Sequence, residues 1–144
     1  MTHNRAVTFL KIACGVTMAM GIGTVFALAT QTFGLLSWFM DLLHLPLDGQ
    51  QSFGADSERV LGAIGGGLMF GLGLMVWQIV DLIYVEDPVK GAKIILWGLW
   101  GWYIADSLGS VLAGAWFNAI LNASFLALFL LPILLAKPRQ PVTA

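Results

Sequence analysis

Asp106, Ser110, Asn118 and Asn122 stand in the segment ADSLGSVLAGAWFNAILNAS (105–124), among Ala, Gly, Leu and other apolar residues. A carboxylate, a hydroxyl and two amides in such company suit three tasks. They can hold the polar group of a ligand, handle a proton, or lock two helices together by hydrogen bonds. Asp106 and Ser110 are four residues apart, as are Asn118 and Asn122, so each pair shares one face of its helix. A fold-back at Gly114 puts Asp106 level with Asn122 and Ser110 level with Asn118. Both spacings therefore converge on one polar ladder. An ionisable group within a membrane span costs at least about 2.5–3.5 kcal/mol on insertion scales, which makes function the default hypothesis. The competing reading is a hairpin lock, with Asp106 and Asn122 bonded to one another and nothing more.

The elements that carry this ladder follow from composition. The 144-residue chain is 58% hydrophobic and 10% charged, against roughly 25% charged in a soluble domain. Its apolar runs reach the ~20 residues that cross a hydrocarbon core of ~30 Å, and they are apolar all round rather than on one stripe. The sequence predicts an all-α integral membrane four-helix bundle, a single domain over 1–144. Its spans are expected at about 7–29, 60–84, 92–112 and 115–135. Asp87 is a fitting N-cap with Pro88 at the first helical position, and Ala113-Gly114-Ala115 leaves room only for a tight turn. Arg5, the following apolar run and Ala27-Leu28-Ala29 also resemble a cleavable leader, an alternative for the first span.

Arg5, Lys11, Lys90, Lys93, Lys137 and Arg139 fall on one face of a four-span chain, and Arg59 stands alone on the other beside Asp41, Asp48, Asp56 and Glu58. That asymmetry predicts a multi-pass protein with cytoplasmic N- and C-termini. The segment 33–47 is too short to span. Its Ser37, Asp41, His44 and Asp48 form a polar stripe at helical spacing, which suits an interfacial amphipathic helix anchored by Trp38, or a lid over the bundle.

Small residues that let backbones approach are the packing signal in lipid. Stripes at spacing four run through Gly15, Ala19, Gly23 and Ala27; through Ala63, Gly67 and Gly71, with Gly62 and Gly66 one position back; through Gly101, Ala105, Gly109 and Ala113; and through Ala115, Ala119, Ala123 and Ala127. At ~1.5 Å per residue, Asp106 lies about 10 Å below the end of its helix, level with residues 21–24 and with Gly65, Gly66 and Gly67. Those small side chains leave room in front of the carboxylate. A ligand site of Asp106, Ser110, Asn118, Asn122, Gly66 and Gly67 is the expectation. Trp100 and Trp102 read as packed or lipid-facing bulk, with an aromatic pocket as the alternative. Asp81, near the end of the second span, is expected to pair with Lys90 or Lys93.

Other chemistry finds no support. His3 and His44 cannot build a metal centre, Asp41 and His44 alone are weak ligands, and the single Cys14 reads as core. No phosphate loop, nucleophile elbow or dinucleotide fingerprint occurs, so neither an enzyme nor a cofactor is expected. A net charge of −1 offers no surface for nucleic acid.

The stretches ERVLGAIGGGLMFGLG and KIILWGLWGWYIADSLGSVLAGAWFNAILNASFLALFLLPIL, joined by a DP turn, resemble the BphX-like family of small bacterial membrane proteins over residues 58–135. More distantly the layout resembles DoxX-like four-helix membrane proteins. The resemblance implies a bacterial inner-membrane location and a link to hydrophobic aromatic compounds; it implies no residue roles. The resulting expectation is a non-enzymatic protein that contacts the lipid bilayer and binds, or assists passage of, a small apolar or aromatic molecule. The alternative is a structural or assembly subunit whose small-residue stripes pack against a membrane-protein partner or a second copy.

Overall fold

The computed structural model describes residues 1–137; Arg139, counted above among the basic residues, lies outside them. The described chain is all-α. Helix α1 is His3–Ala29, α2 Gly34–His44, α3 Asp56–Ile79 continuing into a π turn over Val80–Tyr84, α4 Pro88–Leu112 and α5 Trp116–Leu135. Local chemistry sets these limits. The Thr2 hydroxyl accepts from the Arg5 amide, 3.4 Å, and Asp87 caps α4 by accepting from the Lys90 amide at 2.9 Å, with Pro88 at N1. Gly114, at φ 88°, takes the left-handed conformation that turns α4 into α5, and the Ala115 amide closes the turn on the Ser110 carbonyl at 2.8 Å.

Three helical stretches, His3–Ala29, Asp56–Tyr84 and Trp116–Leu135, are long and apolar enough to cross a bilayer. With an outer surface of side chains such as Phe26, Leu61, Leu68, Trp97 and Leu112, they make the chain a small multi-pass membrane protein. Helix α4 has comparable length, 25 residues, yet it is not one of the three. Its Lys90, Lys93 and Asp106, together with its Gly, Ser, Trp and Tyr residues, dilute its hydropathy.

Helices α1 and α3 form one close antiparallel pair and α4 and α5 another, joined through α1 against α5 and through the end of α3 with its π turn against α4. One end of the molecule gathers both described chain ends and the α3–α4 turn. The Met1 ammonium donates to the Leu135 carbonyl at 2.8 Å, the Lys137 amide to the Met1 carbonyl at 2.9 Å, and His3 stacks on Tyr84 with its ring nitrogen against the Val85 carbonyl. This terminal half holds the core: Leu10, Cys14, Val76, Val80, Tyr84, Ile95, Leu99, Leu126 and Phe129. In the other half, under α2, the two pairs splay apart.

Of the small-residue stripes at spacing four, Gly62 and Gly66 pack, a Cβ on Gly62 falling 2.9 Å from Leu28 Cδ1, and most of the other glycines do not. Gly15, Gly23, Gly67, Gly71, Gly101 and Gly109 have no neighbour within 4 Å of a Cβ position. The close approach of backbones runs through Gly21 and Gly66. A Cβ on Gly21 would lie 2.5 Å from the Gly66 carbonyl oxygen, and one on Gly66 would lie 2.7 Å from that of Gly21. One turn-pair away, a Cβ on Gly73 would meet the Cys14 carbonyl at 2.9 Å. The two backbone contacts, Gly21 with Gly66 and Cys14 with Gly73, lie seven positions apart on each helix, and Leu28 meets Gly62 beyond them. A step of seven between backbone contacts matches the 3.5-residue seam of two long helices in sustained contact.

Asp81 also departs from expectation. It pairs with Lys11, whose ammonium lies 5.1 Å from the Trp77 ring centroid, and not with Lys90 or Lys93. The Gly21–Gly66 register sets Lys11 beside Val76, and helical side chains lean toward their own N-terminus, which for α1 is the direction of Asp81.

In α2 the anticipated polar stripe is broken. Asp41 is buried, 5% exposed, and both its carboxylate oxygens accept from the Gly49 amide at 3.1 and 3.0 Å. His44 Nδ1 bonds its own helix at the Met40 carbonyl, 2.9 Å, so Asp41 and His44 share no site. The helix sits over the splayed half as a lid: Phe39 and Leu43 point into the space between the helix pairs.

Candidate functional site

The turn at Gly114 brings the polar residues of α4 and α5 together. Asn118 Nδ2 donates to Ser110 Oγ at 2.8 Å and to Asp106 Oδ2 at 3.3 Å. Asn122 Nδ2 donates to Asp106 Oδ2 and to Ser107 Oγ, the latter at 3.2 Å. A carboxylate oxygen only accepts, so the nitrogen side of each amide must face it. Each asparagine thereby commits both of its N–H groups, and Oδ2 of Asp106 receives two of the four bonds.

Burial separates the members. Asn122 and Ser107 are enclosed, at 7% and 9% exposure, whereas Asp106 is exposed. What it faces is a half-open cavity of about 1010 Å³ between the helix pairs. Thr17 and Met20 of α1, Gly65, Gly67, Gly71 and Met75 of α3, and Phe39 and Leu43 of α2 form the side opposite the carboxylate. Trp102, Phe125, Asn118 and Asn122 flank it. Trp102 meets Phe125 edge-on at 5.4 Å between centroids and the two form one aromatic wall, backed by the buried Phe129 at 5.7 Å from Phe125.

A second space, about 1020 Å³, lies beneath α2 against α1 and α3. Met20, Phe39, Gly65 and Met69 line both, so the two spaces are neighbours across those residues. Ala19, Gly23 and Ala27, part of the stripe that does not pack on α3, line this second space. Here small residues open volume between helices and lid instead of closing a helix contact.

Of the six residues singled out by the sequence, Asp106, Asn118, Asn122 and Gly67 line the first cavity. Gly66 lines the second, with its backbone against Gly21. Ser110 lines neither and serves the ladder by accepting from Asn118. Trp102, for which the sequence offers an aromatic pocket as the alternative to packed or lipid-facing bulk, lines the first cavity, and Ser107, Phe39 and Leu43 contribute without having been singled out. Trp102 is four residues before Asp106 and so on the same helix face, a signal that was present. Ser107 is adjacent to Asp106 and bonds Asn122 because that amide reaches across both. Phe39 and Leu43 depend on how α2 folds back, which no local pattern encodes.

Among the described residues no group of three or more His, Cys, Asp or Glu side chains is placed to hold a metal ion. No protein-family model, curated protein or solved structure matches the chain.

Proposed function

We propose that this is a four-span, non-enzymatic membrane protein that binds a small apolar or aromatic molecule, or assists its passage, in the cavity faced by Asp106. The observation that carries the reading is a large apolar space with one polar feature at its edge. Trp102 and Phe125, methionines and glycine backbone surround an exposed carboxylate held by two asparagines. Ligand sites have this make-up, mostly apolar lining with a few placed polar groups, within ~300–1,000 Å³. A carboxylate that served only to lock the hairpin would be enclosed, as Asn122 and Ser107 are.

The fourth span is α4. Its 25 residues reach about 37 Å at ~1.5 Å per residue, enough for a ~30 Å hydrocarbon core, and the ladder ties it to α5 over the half that contains Asp106. The terminal end, with Arg5, Lys11, Lys90, Lys93 and Lys137, faces the cytoplasm of a bacterial inner membrane. The lid then lies on the outer side. The likeness to BphX-like proteins belongs to this proposal and points to aromatic compounds as the class to try first.

The test is equilibrium binding of biphenyl and naphthalene to purified protein in nanodiscs, with empty nanodiscs as blank. Native protein is expected to bind. Gly67→Leu, which puts a side chain into open space in the cavity, is expected to lose binding while keeping its thermal stability. Equal uptake by native, variant and blank would refute the reading.

A further inference from the structure

The hydrogen-bond accounting of the cavity points to a charge class of ligand, and the inference rests on the cavity reading above. Both N–H groups of Asn118 and of Asn122 are committed within the ladder. The lining hydroxyls are committed too: Thr17 donates to the Ala13 carbonyl at 2.8 Å and Ser124 to that of Leu121 at 2.7 Å. The amide oxygens of both asparagines and Oδ1 of Asp106 are the acceptors left over. Apart from the Trp102 indole, the polar groups of the wall can only accept.

Charge agrees with this. Among the described residues no lysine or arginine lines this cavity or the neighbouring space, while Asp106 lines the one and Glu58 the other. Lys11 is engaged by Asp81 and Arg59 by Asp56. An anionic or acceptor-only ligand would set lone pairs against lone pairs in a weakly screened site. A ligand carrying an N⁺–H would supply the missing donor and the missing positive charge together. The Trp102 face, one helical turn from Asp106, adds a surface that attracts cations.

We infer that the cavity takes a lipophilic amine in its ammonium form, with nitrogen at Asp106 Oδ1 and the apolar body along Trp102 and Phe125.

The test uses three matched probes on native protein in neutral phosphatidylcholine nanodiscs: para-hexylbenzylamine, para-hexylbenzyl alcohol and para-hexylbenzoic acid. Empty nanodiscs correct for partition into lipid. A hydrogen bond to a charged group is worth more than a neutral one by enough for roughly tenfold in affinity. The amine is therefore expected to bind about tenfold tighter than the alcohol, and the acid weakest. Asp106→Asn is expected to bring amine and alcohol level with each other while alcohol binding persists, and Gly67→Leu to weaken all three. Equal amine and alcohol binding to native protein overturns the charge inference and leaves the cavity reading standing, as does tightest binding of the acid. No binding of any probe overturns both. The native comparison decides the matter even where Asp106→Asn does not fold.

Discussion

Gly21 of α1 and Gly66 of α3 face one another so closely that a Cβ on either would fall within 2.7 Å of the other's carbonyl oxygen. This contact draws α1 and α3 together on one side of the molecule, and the ladder draws α4 and α5 together on the other. The space between the two pairs is the cavity. The same helix carries the opposite case one residue on, since Gly67 has open space where its Cβ would be.

That contrast gives the first prediction. Gly66→Ala forces backbone apart and is expected to destabilise by about 1–3 kcal/mol, the usual cost of overpacking. Gly67→Ala meets nothing and is expected to be neutral or stabilising by up to about 1 kcal/mol from helix propensity alone. Thermal unfolding of the two variants in one detergent is the check. Equal melting temperatures would contradict the packing.

The ladder predicts an order among its asparagines. Asn122 is enclosed and bonds both Asp106 and Ser107, whereas Asn118 is more open. Interhelical polar contacts in membranes contribute about 0.6–2 kcal/mol, so Asn122→Ala should fall at the upper end and Asn118→Ala at the lower. A double-mutant cycle between Asp106→Ala and Asn122→Ala should return a favourable coupling. A coupling of zero would mean that the ladder does not hold the hairpin.

Lys11 and Asp81 form the other polar pair along the helices. Removing one partner leaves a charge without its counterpart beside apolar surface, which costs more than removing both. Lys11→Met and Asp81→Leu are each expected to lower the melting temperature more than the double variant does. A double variant worse than either single one would show that the pair is not coupled.

Topology can be read with cysteines placed on a Cys14→Ala background. If α4 crosses the membrane, cysteines at Glu86 and at Ala113 react with an impermeant maleimide from opposite sides, and one at Asp48 reacts from the side of Ala113. Labelling of Glu86 and Ala113 from the same side would remove the fourth span.

Much of this arrangement is legible in the residues alone. The all-α class and the membrane follow from the apolar runs, and the α4–α5 hairpin follows from Gly114 with two pairs of residues at spacing four. The ladder is local to one tight turn, so a count along the chain finds it. What escapes depends on long-range register. Choosing Gly21 over Gly23, or Gly66 over Gly67, needs the relative rotation of α1 and α3, and the two glycine phases compete within one helix. The Lys11–Asp81 pair and the inward turn of Asp41 depend on that same docking and on a loop closed by Gly49. Trp102 shows the limit of local pattern: its spacing from Asp106 places it on the ladder's face, yet bulk against lipid and a pocket wall fit its sequence context equally well.

Photolabelling tests the central claim most directly. An aromatic diazirine, activated on protein in nanodiscs and mapped by mass spectrometry of the peptides, reports where an apolar molecule rests. The account predicts adducts on Met69, Met75, Trp102 and Phe125, suppressed by excess unlabelled compound and absent in Gly67→Leu. Adducts confined to outward residues such as Phe26, Trp97 and Leu112, unmoved by competition, would contradict it.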